Sequence, residues 1–300
     1  MAERDLGRQL SRARHDYVVE RLEDADRARA MLRPRLEYTA YALAQLEPGL
    51  IDRARWYLAR GDTGQGLVVH SRGGLGDATL VMGDPGAIAA VLSLHPGAQQ
   101  TYATFQPQHG DAMRGTYRLA THLPMVRMVV RRDAFRAADG ETVPLTGSEI
   151  RRINSLYGSD GGPSYYSPEH IDTGVYRGVV LDGRLVAIAG THVVSYRERV
   201  AVVGNVFTHP AYRSRGFARL ATSAVTEWLF RSCDDVVLTV DPANTPAIRA
   251  YERLGYHEAC QIIESTARRR DVTGGHSALR RAVAAIRGRR YGGAFVSLAE

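Results

Sequence analysis

Lysine is missing from this chain: all 39 basic residues among its 300 are arginine. A genome-wide codon bias toward GC is the plain explanation. Cysteine is scarce. Cys233 and Cys260 form no CxxC and cannot make a disulfide framework, which fits a reducing compartment. No apolar run approaches the roughly 18 residues needed to span a bilayer, so no membrane partner is expected. Met1–Asp5 is charged and leads into no hydrophobic stretch, so a secretory signal is not expected and a cytoplasmic location is. Neither the dinucleotide fingerprint GxGxxG nor the phosphate loop GxxxxGK[ST] occurs. What is present is ordinary for a globular protein, with 44% apolar and 24% charged residues in a length that suits two domains.

The net charge of +7 is unevenly spread. Residues 268–300 carry eight arginines against two acidic residues, which leaves the rest of the chain nearly neutral. Basic character therefore belongs to the tail. No aromatic residue is interleaved with its arginines before Tyr291, so base stacking is not suggested and a nucleic-acid partner is not favoured. The expected reading is a solvated basic appendage that packs on a neighbouring subunit, in a chain that could form a homodimer.

Residues 5–32 read as polar and helical, with sparse apolar positions. Leu36–Leu46 is a better helix, with Leu36, Ala40, Leu43 and Leu46 on one face. Strands are expected at Arg55–Ala59, Gly66–His70 and Ala78–Met82. Asp84-Pro85 then opens a helix through Leu94, and strands return at Thr101–Phe105 and Met125–Arg131. His70, His95, His109 and His122 are isolated along this segment, so no metal site is expected. The pattern breaks near Ala134–Thr142. Beyond it come a helix at Ser148–Tyr157 and a loop at Gly158–Ser164. A short helix follows, capped by Ser167 with Pro168 at its first position. The turn Asp182-Gly183 between apolar runs is a strong hairpin signal. With Val200–Thr208, it delivers three antiparallel strands to the most informative stretch. The expected class is mixed α/β. The expected domains are 1–137, 138–267 and an Arg-rich tail at 268–300.

After Thr208 the strand stops at His209-Pro210 and the chain turns through Tyr212–Ala218. From Phe217 the apolar residues fall at 217, 220, 221, 224, 225, 228 and 229, a one-faced helix. The loop therefore sits at a helix N-terminus, where unpaired N–H groups and the positive end of the dipole form an anion site. Arg213 and Arg215 add charge, and Gly216 permits close approach, so a phosphate or pyrophosphate is the expected ligand. Asn244 is a good N-cap for the next helix, and Tyr251 lies two turns further on the same face. Gly255 closes that helix.

The order strand, HPxYRxRGxA loop, helix, strand, NxxAxxxYxxLGY resembles the GNAT superfamily of N-acetyltransferases, from roughly Val143 to Thr266. The resemblance implies a GNAT fold in the C-terminal half, with acetyl-CoA as co-substrate and no metal. Backbone groups of Val206, Phe207 and Thr208 would pair with the pantetheine arm. Amides of Arg213, Ser214, Arg215, Gly216, Phe217 and Ala218 would cradle the pyrophosphate. Asn244 would touch the pantetheine region. Tyr251 would lie beside the thioester sulfur as general acid, and a strand amide near Phe207 would serve the developing oxyanion. Members of the family often use a carboxylate on the central strands as base, yet Val200–Thr208 holds no Asp or Glu. His192 and a water chain are the alternatives, and a packed core histidine is the simpler reading of His192.

The whole chain also resembles predicted bacterial acetyltransferases and the glycine N-acyltransferase-like group. In these the first half is often a degenerate GNAT-like fold without a coenzyme site. No R-x-x-G-x-A loop occurs between residues 1 and 140, in agreement. The first half would then wall the acceptor pocket or form a subunit interface. The function implied is N-acetyl transfer to a primary amine of a small molecule or amino-acid-like acceptor. Alternatives are a protein or peptide N-acetyltransferase, and a non-catalytic module that binds CoA or nucleic acid.

Overall fold

The computed structural model describes residues 14–73, 76–161 and 165–299. Along the chain the first elements are β1 (Arg14–Arg21), α1 (Ala25–Leu32), α2 (Leu36–Ala44), β2 (Ala54–Gly61), β3 (Gly64–Gly73) and β4 (Gly76–Gly83). Next come α3 (Pro85–Leu94), β5 (Gln100–Phe105), α4 (Gly110–Thr116), β6 (Tyr117–Leu119) and β7 (Leu123–Arg131). The second half holds β8 (Val143–Pro144), α5 (Ile150–Gly158), α6 (Pro168–Asp172), β9 (Arg177–Leu181), β10 (Arg184–Ser195) and β11 (Val200–Thr208). It continues with α7 (Phe217–Leu229), β12 (Asp235–Val240), α8 (Thr245–Glu252), β13 (His257–Arg269), α9 (Gly275–Gly288) and β14 (Ala294–Ala299). Setting the short β6 aside, β1 to β7 and β8 to β13 share one order: strand, two helices, three strands, helix, strand, helix, strand. The chain runs through the same mixed α/β plan twice.

The described residues form two compact units, one drawn from 14–24, 54–122 and 263–299, the other from 25–53 and 123–262. The expected segment 138–267 therefore lies in the second unit up to Ile262, where it is joined by residues 25–53 and 123–137. The expected tail, 268–300, lies in the first unit.

In the first unit, β14, β1, β2, β3 and β4 pair antiparallel in that order, β4 pairs parallel with β5, and β5 pairs with the end of β13. One face is covered by α3, whose Ile88, Val91, Leu92 and Leu94 are buried with Val68, Val81 and Phe105. Two expectations are corrected here. Residues 5–13 of the expected helix at 5–32 lie outside the described residues, but Arg14–Arg21 is a strand, with Tyr17 and Val19 buried on alternate positions. The tail is not a solvated appendage, because it packs on its own chain: Ala294–Ala299 pairs with β1, Val296 opposite Tyr17, and Arg281 on α9 donates to the Leu94 carbonyl at 2.6 Å.

In the second unit the sheet order is β7, β12, β11, β10, β9, β8. β11 and β12 are parallel, and the other pairs are antiparallel. The hairpin turn between β9 and β10 has positive φ at both Asp182 (48°) and Gly183 (75°), the geometry that matches strand twist. One face is covered by α7 and α8, burying Ala221, Val225, Leu229 and Tyr251 with Leu238 and Val240. The other face receives α2, tied by Ser195 donating to Glu47 at 2.5 Å, while Arg29 of α1 donates to the buried Glu198 at 2.8 Å. Of the expected loop at 158–164, Gly158 ends α5 and residues 162–164 lie outside the described residues.

Candidate active site

The site begins where two parallel strands part. β11 pairs with β12 only from Val200 opposite Asp235 to Val203 opposite Leu238. Its pairing with β10 slips at the same place, from Gly190 opposite Gly204 to Ile188 opposite Phe207. Two residues of β11, Asn205 and Val206, thus face one of β10, a β-bulge that bends the strand away. Asn205 sits at the bend with φ +54°, a conformation asparagine tolerates better than most side chains. Three tyrosines hold it there. Tyr157 donates to the Asn205 carbonyl at 2.5 Å, Tyr166 donates to its Oδ1 at 3.1 Å, and its Nδ2 donates to the Tyr176 hydroxyl at 2.8 Å.

The parting strands enclose a cavity of about 360 Å³ lined by residues 203–207 and 238–241, with Tyr157, Tyr166, His192, Asn244, Ala247 and Tyr251. Of the residues singled out in the sequence, Val206, Phe207, Asn244, Tyr251 and His192 therefore come together. Asn244 caps α8, its side chain accepting from Ala247 N at 3.2 Å. Tyr251 is buried among apolar neighbours, which pushes its hydroxyl up to about 12 and keeps it protonated.

Thr208 and Arg213–Ala218 are not among the lining residues and form the strand end and loop leading to α7. Positive φ at Ser214 (62°) and Gly216 (83°) winds that loop, and no side chain caps α7. Its first amides are therefore free of side-chain acceptors, which suits an anion. The helix in the same place of the first repeat, α3, is different: Asp84 accepts from Ala87 N at 2.7 Å, so a carboxylate occupies that end. Arg213 is engaged, ion-paired to Asp160 and donating to the Thr208 carbonyl at 3.3 Å. The Arg215 guanidinium rests 5.6 Å from the Tyr212 ring centre and 5.0 Å from that of Phe217.

His192 lines the cavity and is an exposed residue of β10. Its ring lies across Gly204, where a Cβ would stand 2.0 Å from Nε2, so any larger residue there would push the ring aside. Burial, aided by the Arg127 charge, lowers its pKa to about 4, so the ring is neutral at pH 7. Depressed pKa values on a histidine stabilise the fold above the unfolded value, and that stability is lost as pH falls through the folded value. His70 and His95 are lowered to about 4 as well, chiefly by burial. The unfolding midpoint should therefore drop as pH is taken from about 6.5 to about 4. His70→Gln should remove about one proton from the slope of stability against pH, since the His70 ring is held between Thr79 and the His95 carbonyl. Chemical denaturation across that window measures it, and an unchanged slope would contradict the assignment.

Sequence reading missed Asn205, Tyr157, Tyr166 and Tyr176. The bulge arises from pairing between strands, and no local pattern marks it. An asparagine inside an apolar strand was the one available signal.

Known proteins agree with this geometry. Residues 149–256 match the family described as "Acetyltransferase (GNAT) family". No curated relative matches the chain. Among solved structures, a GCN5-related N-acetyltransferase from Kribbella flavida is similar at 19% identity and TM-score 0.56, over 76% of this chain and 95% of its own. A Drosophila protein is similar at 12% identity and TM-score 0.60, over 83% of this chain and 98% of its own. A tandem GNAT protein from the clavulanic acid biosynthesis pathway is similar at 14% identity and TM-score 0.48, over 84% and 98%. At these identities the first two structures speak to fold alone. The family match shows that residues 149–256 of this chain are a GNAT-family acetyltransferase domain.

Proposed function

We propose that the protein is an acetyl-CoA-dependent N-acetyltransferase that acts on the primary amine of a small or amino-acid-like acceptor. The acetyltransferase domain is taken as 138–267. The observation that carries the reading is the parting of β11 from β12 at Gly204, which opens a Tyr251-lined cavity in the same domain as the uncapped N-terminus of α7. Amides of Arg213–Ala218 hold the pyrophosphate. The bent backbone of Val206–Thr208, beyond the end of the pairing with β12, faces the pantetheine arm, and Asn244 touches that arm.

The incoming amine attacks the thioester carbonyl directly. An amide near Phe207 receives the developing oxyanion, a placement worth about 10²- to 10³-fold in rate. Tyr251 protonates the departing thiolate, and its raised pKa ensures that the proton is present when the thiolate leaves. His192 faces the cavity uncharged and accepts a hydrogen bond from the amine. With a pKa near 4 it stores a proton poorly, so it orients the amine while water carries the proton away.

Thiol release from acetyl-CoA, assayed against a panel of amino acids, polyamines and short peptides, tests the reading. Turnover confined to peptides would move the acceptor to protein, and no turnover with any amine would leave a binding module. Asp160 competes with phosphate for Arg213. Asp160→Asn should therefore tighten CoA binding by about two- to fivefold, the worth of an exposed ion pair. Unchanged or weaker binding in titration calorimetry would remove Arg213 from the phosphate site.

A further inference from the structure

The proposed chemistry leaves one charge of the site unused. Arg127 on β7 is fully buried, and arginine cannot shed its charge. It stands directly across the strand pair from Thr239 on β12, and its Nη1 donates to Thr239 Oγ1 at 2.5 Å. Its Nε and Nη2 have no hydrogen-bond partner among the described residues. The guanidinium lies 4.7 Å from the centre of the Tyr41 ring, which also faces His192 at 6.0 Å. The nearby acids Glu37 and Asp235 are paired with Arg131, at 3.8 and 3.0 Å. A buried cation without a counter-ion is strongly unfavourable, and an apolar side chain of similar volume is usually tolerated as well or better.

Thr239 turns that charge toward the cavity. Its oxygen accepts from Arg127, so its own O–H must donate elsewhere, and no acceptor for it lies among the described residues. Thr239 is part of the cavity wall. Beside it His192 is neutral, and the Tyr157 and Tyr166 hydroxyls are spent on Asn205. Among the lining residues one carboxylate occurs, Asp241, which is exposed and accepts from Ala243 N at 2.8 Å. The Thr239 side of the cavity thus presents a donor with a fixed positive charge behind it.

We propose that Thr239, backed by Arg127, is the subsite for an anionic group on the acceptor, a carboxylate carried by the same molecule as the amine. This rests on the acetyl-transfer reading and narrows it to amino acids over plain amines. Thr239 makes the contact, and Arg127 is a positioning residue acting through it.

The test uses the full chain saturated with CoA, titrated with a panel of N-acetyl amino acids and their primary amides. At least one acid is expected to bind about 10- to 100-fold more tightly than its amide, the range of a hydrogen bond to a charged group. Thr239→Val should abolish most of that discrimination and leave CoA affinity unchanged. Arg127→Met should do the same while remaining folded. Equal binding of acids and amides throughout, binding of neither to a protein that does bind CoA, or discrimination that survives both substitutions would each overturn the proposal. A chain that binds no CoA would take the acetyl-transfer reading down with it.

Discussion

Tyr251→Phe is expected to bind acetyl-CoA as the native protein does and to turn over about 10²- to 10⁴-fold more slowly, the usual worth of a positioned general acid. The split follows from the hydroxyl's surroundings. Tyr251 is buried against Leu238, Val240 and Leu254, so its ring is held by packing that phenylalanine keeps. No hydrogen bond within the chain depends on its Oη among the described residues, so removing it leaves no partner orphaned. The only quantity lost is the proton offered to the leaving thiolate. Steady-state turnover beside titration calorimetry measures the two halves. Unchanged turnover would remove the general-acid role, and a parallel loss of affinity would make Tyr251 a binding residue.

The second large effect is expected at Asn205, which touches nothing that reacts. Asn205→Val places a β-branched side chain where φ is +54°, a region such residues scarcely enter. It also strips Tyr166 and Tyr176 of their partner. The bulge should flatten, the amide near Phe207 should turn from the oxyanion position, and turnover should fall about 10²- to 10³-fold. Stability should fall by about 2–4 kcal/mol, from strain plus unsatisfied hydroxyls. Asn205→Gly separates the causes. Glycine keeps the positive φ at little cost, so it should restore most of the turnover while still lacking the tyrosine contacts. If the glycine variant is as slow as the valine variant, the side chain and not the bend is what matters.

Much of the local structure was legible because local physics decides it. The stripe from Phe217 to Leu229 gave α7, Asp182-Gly183 gave the hairpin, and Asp84, Ser167 and Asn244 were read as caps and do cap. The strands at 55–59, 66–70 and 78–82 were found within longer ones. Failures came where distant segments decide. β1 exists because β2 and β14 flank it, and its charged ends hide the Tyr17–Val19 alternation. Likewise, the composition of the basic tail did not reveal that Ala294–Ala299 would complete a sheet of the same chain.

The candidate site divided along the same line. Tyr251, Asn244 and the loop before α7 follow sequence spacing on helices, and could be read. His192 was weighed and left as a core residue, because nothing local says that Gly204 clears a path for its ring to the cavity. Arg127 gave no signal at all. Its position opposite Thr239 is a matter of register between β7 and β12, strands more than a hundred residues apart in sequence.

Titration calorimetry of CoA into the full chain tests the central claim most directly. The account predicts saturable binding at one site per chain, lost when Gly216→Asp sets a carboxylate at the head of α7, as Asp84 does at the head of α3. No binding to the native chain, or binding that Gly216→Asp leaves intact, would contradict it.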